Sequence, residues 1–128
     1  MKYRGKCTIN GHRWYYGDLI YTHDATYIIT QSIDKGEYFS IKVVPLTVTE
    51  CVDCIDINGV DIYEGDIIKI IRKSDAHSFK QDEEICEVES RYDFLYKLMK
   101  CKHNRIEVLG NRWDNPQLLE MCKKEDEE

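Results

Sequence analysis

The stretch Asn58-Gly59-Val60-Asp61-Ile62-Tyr63-Glu64-Gly65-Asp66-Ile67-Ile68-Lys69-Ile70 decides the fold, because it joins two turn signals to the start of an apolar strand. Asn58-Gly59 is the strongest short signal for a β-hairpin, since a two-residue type I′ turn needs positive φ at both central positions. Asn and Gly tolerate that conformation best. The sequence therefore predicts a hairpin here, with Ile57 and Val60 as its flanking pair.

A second bend follows at Glu64-Gly65-Asp66. Gly65 is able to take a backbone conformation closed to other residues, and Asp66 is able to accept hydrogen bonds from nearby backbone amides. An apolar strand is then predicted from Ile67 to Arg72. These turn residues are accounted for by backbone geometry, so the stretch is interpreted as scaffold and not as a functional site.

Length and composition favour one domain spanning residues 1–128, either all-β or α+β. A chain of 128 residues is able to bury roughly two thirds of its unfolded surface without a metal or disulfide to stabilise it. The charged and hydrophobic fractions, 33% and 42%, are close to those of soluble proteins. Nine tyrosines and many Ile and Val residues favour strands over helices.

Further strands and turns are predicted on both sides of the central stretch. After an Asn10-Gly11 turn, β-prone runs predict strands over Trp14–Thr22, Tyr27–Thr30, Tyr38–Val44 and Ile106–Leu109. Residues 74–84 are polar and lack an apolar period, which predicts a mobile loop. The alternation of Cys86 and Val88 with glutamates predicts a half-buried strand with an acidic outer face.

Two segments near the C-terminus carry helical signals of different strength. Phe94–Met99 fits either a strand or one turn of a helix, and we favour the strand. Asn115 is a good N-cap and Pro116 suits the first helical position, so a short C-terminal helix is predicted there. Residues 123–128 are all charged and predict a solvated tail.

Charge and hydropathy restrict where the protein acts. The chain has no apolar run of the roughly 20 residues that cross a bilayer, and its first residues lack the apolar core of a signal peptide. We therefore expect a cytoplasmic location and no membrane partner. The net charge of −6 argues against non-specific binding to nucleic acid.

The cysteines invite a metal or disulfide interpretation, which the spacing does not favour. The chain has six cysteines, and Cys51 and Cys54 have the C-x-x-C spacing of a zinc knuckle or a redox pair. Cys101 and His103 would have to complete a zinc site, but a one-residue gap is too short for the usual second pair of ligands. We therefore expect reduced cysteines that act as small apolar fillers, with no metal and no cofactor.

Several motifs occur together in one order along the chain. They are Arg4-Gly5, Trp14-Tyr15-Tyr16-Gly17-Asp18-Leu19, Thr47-Val48, the block from Asp56-Ile57-Asn58-Gly59 to Asp66-Ile67, Ile106-Glu107-Val108-Leu109-Gly110-Asn111, and Asn115-Pro116-Gln117-Leu118-Leu119. With this set the chain resembles the YopX family of phage and prophage proteins. Only the stretch from Lys73 to Asn104 lacks a recognisable motif.

The resemblance implies a mainly β fold containing an SH3-like barrel, with β-hairpins and a short C-terminal helix. It also implies an accessory protein encoded in phage or prophage genomes, without an established biochemical activity. The chain departs from the family pattern before the Asn-Gly turn. There Cys51 stands in place of an aromatic residue and Cys54 in place of an aliphatic one, which indicates packing positions.

Two hypotheses for the function follow, and the sequence has none of the common motifs of an enzyme. The first is a small non-enzymatic interaction or regulatory module that binds a host or phage protein. Its candidate anchors are exposed aromatic residues, namely Trp14, Tyr15, Tyr16 and Trp113. The alternative is a nucleic-acid-binding small β-barrel, and its candidate phosphate contacts are Lys97, Lys100, Lys102 and Arg105. A homo-oligomer is also a candidate assembly, since small barrels have edge strands that pair readily.

Overall fold

The chain is mainly β and divides into two compact units, Met1–Cys51 and Val52–Glu128. Its structure is a computed structural model that describes residues 2–11, 13–32, 34–73, 81–99 and 103–126. The boundary between the units falls inside one strand, Thr49–Ile55. The expectation of a single domain over residues 1–128 stays a prediction, and each unit is described below by itself.

The first unit is a curled antiparallel sheet. Its elements are β1 (Tyr3–Lys6), β2 (Trp14–Tyr21), β3 (Thr26–Gln31), β4 (Tyr38–Lys42), a 3-10 helix (Pro45–Thr47) and the start of β5 (Thr49–Ile55). The strands lie in the order β4-β3-β2-β1-β5. The predicted strands over Trp14–Thr22, Tyr27–Thr30 and Tyr38–Val44 are confirmed to within two residues at each end.

The first and fourth strands of this sheet meet at one end. Cys7 and Val43 form an antiparallel bridge beyond the ends of β1 and β4. The N–H of Thr8 donates to the carbonyl of Lys42 over 3.0 Å, and the N–H of Val44 donates to that of Lys6 over 2.8 Å. Gly5 permits the approach, since a Cβ there would lie only 3.0 Å from the Cβ of Val43.

The second unit combines a three-stranded sheet with two short helices. It contains the end of β5, β6 (Asp61–Tyr63), β7 (Asp66–Lys73), β8 (Gln81–Glu87), α1 (Arg91–Leu98), β9 (His103–Asn111) and α2 (Leu118–Asp126). The sheet has the order β8-β7-β9 and is antiparallel, while β6 pairs with β5. The described strands confirm a mainly β fold with antiparallel sheets, and the SH3-like barrel stays a prediction.

Alternate residues of β7 and one face of α1 supply the core of the second unit. The buried cluster consists of Val52, Ile62, Ile68, Ile70, Cys86, Val88 and Phe94. Four partly buried residues pack against it, namely Cys54, Leu98, Ile106 and Val108. Cys54 and Cys86 therefore occupy packing positions in this unit.

The hairpin at Asn58-Gly59 has a longer loop than the type I′ turn predicted. The N–H of Asp56 donates to the carbonyl of Val60 over 2.8 Å, and the N–H of Gly59 donates to the carbonyl of Asp56 over 3.0 Å. Gly59 has a φ of 78°, whereas Asn58 is not among the described residues with positive φ. The loop therefore has three residues closed by Asp56 and Val60, and the prediction of Ile57 and Val60 as the flanking pair was wrong.

The second predicted turn, Glu64-Gly65-Asp66, is confirmed. Gly65 has a φ of 88°, a conformation that favours glycine. The carboxylate of Asp66 accepts a hydrogen bond from the N–H of Tyr63 over 2.8 Å, as its place in the bend predicts. The predicted strand from Ile67 to Arg72 lies within β7.

The predicted strand over Phe94–Met99 was wrong, because this segment lies in and just after helix α1. Ser90 caps the helix, since its side chain accepts a hydrogen bond from the N–H of Asp93 over 3.1 Å. Phe94 is buried in the core cluster and fixes the orientation of the helix. The Ser90 cap and the buried Phe94 ring stabilise the helix, and this outweighs the strand-like alternation of Phe94, Tyr96 and Leu98.

Replacing the cap tests this explanation. We expect Ser90→Ala to lower the free energy of unfolding by about 1 kcal/mol, because the N–H of Asp93 loses its partner. Ser90→Asp should cost much less, since aspartate is an equally good cap. Urea denaturation of the three proteins measures the difference. Equal stability of the wild type and Ser90→Ala would contradict the role of the cap.

The loop predicted over residues 74–84 was wrong for its last part, because Gln81–Glu87 is strand β8. The backbone of this acidic strand pairs with β7, and side chains join the two strands. Arg72 lies 2.9 Å from Glu84, and Lys69 lies 3.7 Å from Glu83. The polar residues of that last part, which suggested a loop, therefore lie in an edge strand, where acidic side chains form ion pairs with basic residues of β7. Residues 74–80 lie outside the described residues.

The C-terminal helix is confirmed but begins later than predicted. It starts at Leu118, and the side-chain oxygen of Asn115 accepts a hydrogen bond from the N–H of Asn111 over 3.2 Å. The helix continues through Asp126, so most of the segment predicted as a solvated tail is helical. Residues 127 and 128 lie outside the described residues.

Candidate protein-interaction surface

One face of the sheet in the first unit presents large apolar side chains to solvent. Alternation along β2 puts Tyr16 and Ile20 on the same face, and the register pairs Ile20 with Tyr27 and brings Ile29 opposite Asp18. Tyr16 is 45% exposed and Ile20 is 44% exposed. We call this surface, defined by Tyr16, Ile20, Tyr27 and Ile29, the β2–β3 face.

The β2–β3 face contains a shallow depression of about 350 Å³. Its lining residues are Ile20, Thr22, Tyr27, Ile29 and Ser40. The floor is mostly apolar, whereas Thr22 and Ser40 place hydroxyl groups at the rim. The Thr22 hydroxyl donates to the carbonyl of Ala25 over 3.0 Å, which holds this part of the rim in place. A depression with these properties suits an apolar side chain of a partner.

The opposite face of the same sheet carries buried aliphatic side chains. Ile28, which lies between Tyr27 and Ile29 on β3, is completely buried, and Val43 is almost completely buried. The exposed residues of the β2–β3 face are therefore not the edge of this buried cluster. Apolar side chains grouped on a solvent-facing surface are typical of interaction sites.

Trp14 is held between basic side chains from the neighbouring strand. The guanidinium of Arg4 lies 4.6 Å from the centroid of the indole ring, and the Lys6 ammonium lies 5.4 Å from it. Arg4 also donates from Nε to the Thr49 hydroxyl over 3.1 Å, and both basic residues are buried. These cation–π contacts fix the ring and make Trp14 part of the structural framework.

The other two aromatic candidates lie away from the β2–β3 face. Alternation puts Tyr15 on the opposite face of β2 from Tyr16, and Arg13 lies 5.3 Å from its ring centroid. Trp113 belongs to the second unit, where its ring covers the backbone of Gly65. Of the four predicted aromatic anchors, Tyr16 is the exposed one on the side of β2 that carries Ile20, whereas Trp14 on that side packs against Arg4 and Lys6.

Sequence reasoning missed the other residues of the β2–β3 face. Ile20 lies four residues further along the predicted strand, so alternation alone was sufficient to place it on the same face as Tyr16. Tyr27 and Ile29 also lie in a predicted strand, but their position beside β2 depends on the register of the pairing. That register is visible only in the folded sheet.

The sequence of the chain matches a known protein family. The family described as YopX protein matches residues 2–120, nearly the whole chain. The chain belongs to the YopX family. The resemblance inferred from the ordered motifs is therefore confirmed. No curated protein and no solved structure is significantly similar to the chain.

Within the described ranges, neither helix of this YopX-family chain is long and apolar enough to cross a membrane. α1 has eight residues and α2 has nine.

Of the four predicted phosphate contacts of this member of the family, Lys97 and Arg105 lie among the described residues. Lys97 lies 3.7 Å from the carboxylate of Glu84 and 3.6 Å from that of Asp93. Burial lowers the pKa of Lys97, but contacts with Cys86, Asp93 and Glu84 outweigh it and hold the pKa above its usual value. Arg105 is exposed on β9. Lys100 and Lys102 lie outside the described residues.

The bulk charge of the second unit also disfavours a phosphate site. The unit has twelve basic and nineteen acidic residues, a net charge of −7. An acidic unit repels the phosphate backbone unless the basic residues are concentrated on one surface. The ammonium group of Lys97 instead forms ion pairs with two carboxylates of the same chain, those of Glu84 and Asp93.

Two of the cysteines that suggested a zinc site, Cys51 and Cys54, are packed against other side chains or buried. Cys51 is buried in the first unit, and Cys54 packs against the core of the second unit. The described residues contain no group of three or more His, Cys, Asp or Glu side chains suited to a metal ion. Cys101 and the side chain of His103 lie outside the described residues, so the absence of a zinc site stays a prediction.

A second cavity, of about 270 Å³, lies in the second unit beside β8 and both helices. Its lining residues are Cys86, Glu87, Glu89, Lys97, Arg112, Leu119 and Cys122. Burial raises the pKa of the Cys86 thiol to about 11. A protonated thiol is a weak nucleophile at neutral pH. Burial also raises the pKa of Glu87, whose carboxylate lies 3.4 Å from Arg112. The Cys86 thiol is thus protonated at neutral pH, and the Glu87 carboxylate has Arg112 as an ionic partner.

Proposed function

We propose that this YopX-family chain is a small non-enzymatic interaction module that binds another protein through the β2–β3 face. The observation that carries the proposal is the exposure of Tyr16 and Ile20 on the sheet face that contains the apolar depression of about 350 Å³. Aromatic and aliphatic side chains next to a pocket are typical anchors of protein interfaces. Membership of the YopX family supports an accessory role in a phage or prophage, with a host or phage protein as the partner.

The proposal includes the SH3-like barrel that the family resemblance implies and a cytoplasmic location. The bridge between Cys7 and Val43 supports the barrel, because it brings the first and fourth strands of the curled sheet together. A curled sheet leaves its outer face available to a partner while the opposite face supplies the core. The β2–β3 face is such an outer face.

The chemistry of the face restricts the partner. An apolar side chain of the partner would fill the depression between Ile20, Tyr27 and Ile29, and the hydroxyl groups of the rim would accept or donate hydrogen bonds. Asp18 and Lys42 are exposed on the same face, opposite Ile29 and Tyr27 respectively. One carboxylate and one ammonium at different positions would orient a partner that carries complementary charges.

The face is tested by adding a charge to its centre. We expect Ile20→Lys to abolish capture of the protein partner from host cells that carry the phage, because an ammonium would occupy the depression. The matched control is Leu46→Lys, which adds the same charge at an exposed position in the 3-10 helix. Tagged wild type and both variants are compared, with captured proteins and nucleic acids identified.

The outcomes separate the hypotheses. Loss of the same captured protein from Ile20→Lys but not from Leu46→Lys supports the proposal. Capture of the same proteins by all three chains contradicts it. Recovery of nucleic acid that is lost steeply with added salt would instead favour the alternative of a nucleic-acid-binding barrel. That alternative stays a prediction, since no contact of the described residues favours it. Far-ultraviolet circular dichroism confirms that each variant is folded.

A further inference from the structure

Strand β4 is the outermost strand of the sheet in the first unit and begins with two exposed aromatic residues. It lies at the end of the order β4-β3-β2-β1-β5. Tyr38 is 71% exposed and Phe39 is 44% exposed. Natural edge strands are commonly protected by charged side chains, proline or bulges. The first three residues of β4, Tyr38-Phe39-Ser40, contain none of these protections.

The hydrogen-bond pattern shows which backbone groups of β4 face outward. Val43 donates to the carbonyl of Thr26, and Ser32 donates to the carbonyl of Glu37, in one antiparallel register with β3. Because paired and unpaired positions alternate, Phe39 and Ile41 direct their backbone groups toward β3. The backbone N–H and C=O groups of Tyr38 and Ser40 therefore point away from the sheet.

The open part of this edge is short and sharply limited. At its C-terminal end the carbonyl of Lys42 already accepts a hydrogen bond from Thr8 over 3.0 Å, next to the bridge between Cys7 and Val43. The outward groups of Tyr38 and Ser40 lie before that closure. A β-strand backbone is the group that matches two outward N–H and C=O pairs at this spacing.

We propose that two copies of the chain pair through β4, antiparallel and about a two-fold axis at Phe39. In this register Phe39 lies opposite Phe39 of the second copy, and Tyr38 lies opposite Ser40. The two outward residues of each copy then exchange all of their backbone hydrogen bonds. The register does not use the carbonyl of Lys42, so the closure with Thr8 is retained.

The side chains of this edge are complementary to themselves, which favours a second copy over a foreign strand. The central pair is of the type without hydrogen bonds, in which the Cα atoms approach to about 4.5 Å and the side chains are closest. Two Phe39 rings would therefore pack against each other. On the other face, Tyr38 lies diagonal to Lys42 of the second copy, within reach of a cation–π contact. No two like charges are opposed in this register.

Because the open edge is short, we expect a weak dimer whose population rises with concentration. Sedimentation velocity over a series of concentrations measures it. Phe39→Lys should raise the dimer dissociation constant by about tenfold or more, since two ammonium groups would meet at the axis. Phe39→Glu should do the same. An equimolar mixture of the two variants should recover association, because opposite charges would then face each other.

The matched control is Tyr21→Lys. Tyr21 is exposed on the same sheet face as Phe39, but β2 is paired on both sides. This variant should dimerise like the wild type. A wild type that stays monomeric throughout would overturn the proposal. So would an unchanged dimer of Phe39→Lys, which would locate the interface elsewhere, or a mixture that does not recover association while both variants melt like the wild type.

Discussion

Replacing Asp56 by alanine is expected to lower the free energy of unfolding by roughly 3 kcal/mol, the largest effect of any polar substitution considered for this chain. The carboxylate is 6% exposed and accepts backbone hydrogen bonds from Asn58 over 2.8 Å, Val60 over 2.9 Å and Val108 over 3.0 Å. Alanine would leave these N–H groups without their charged acceptor. Asp24→Ala, at an exposed position of the β2–β3 connection, is the control and should have little effect.

The Asp56 carboxylate also makes stability depend on pH. Burial raises the pKa of Asp56, but the hydrogen bonds from Val108, Val60 and Asn58 outweigh it and hold the pKa below its usual value. A carboxyl with a lower pKa in the folded state stabilises the protein above the pKa of the unfolded state. That contribution is lost as the pH falls through the folded-state pKa.

Asp56→Asn isolates the contribution of the charge. Asparagine keeps a carbonyl oxygen as acceptor but does not titrate, so it should be less stable than the wild type at neutral pH. The difference between the two proteins should shrink as the pH falls below the pKa of about 3.9 of an ordinary Asp side chain. Urea denaturation at a series of pH values measures it. A difference that stays constant down to the lowest pH would contradict the assignment.

Replacing Gly65 by alanine is expected to cost about 3 kcal/mol for two separate reasons. Gly65 has a φ of 88°, which costs an alanine about 1 kcal/mol or more. A Cβ at this position would also lie 2.5 Å from the ring of Trp113, and moving a packed ring typically costs a further 1–3 kcal/mol. The two contributions are separable by experiment.

Gly59→Ala is the matched control for Gly65→Ala. Gly59 has a φ of 78°, similar to that of Gly65, but a Cβ there would meet open space. It should therefore show the backbone cost alone. Trp113→Ala combined with Gly65→Ala should cost less than the sum of the single changes, because the ring that the Cβ would displace is gone. Equal losses from Gly59→Ala and Gly65→Ala, measured by denaturant unfolding, would contradict the close packing of Trp113.

Local signals predicted the features whose causes lie within a few residues. Gly65 and Asp66 form the predicted bend because the conformation and the acceptor are both supplied locally. The loop at Asn58-Gly59 differs from the prediction because the Asp56 carboxylate accepts hydrogen bonds from the N–H groups of Asn58 and Val60. The same carboxylate accepts a further hydrogen bond from the N–H of Val108. A contact across 52 residues of sequence leaves no local pattern.

Other differences between the predicted and the observed elements depend on the pairing of strands, which the sequence alone does not show. Sequence reasoning missed the cap signal of Ser90 and Asp93, because the alternating apolar residues of the next segment favoured a strand. Strand β8 became visible only through its register with β7. At the candidate interaction surface Tyr16 was predicted, whereas Tyr27 and Ile29 share its face because of the pairing of β2 with β3.

The carboxylate of Asp56 also bears on the order in which the chain folds as it is synthesised. Its bonds to Asn58 and Val60 need only the next four residues, so the hairpin is able to close as soon as Val60 leaves the ribosome. The bond to Val108 must wait until β9 has been made. We expect the hairpin to form before β9 is synthesised, with one oxygen of the Asp56 carboxylate still available to accept the N–H of Val108. The same side chain would then stabilise both the first hairpin and the last strand of the second unit.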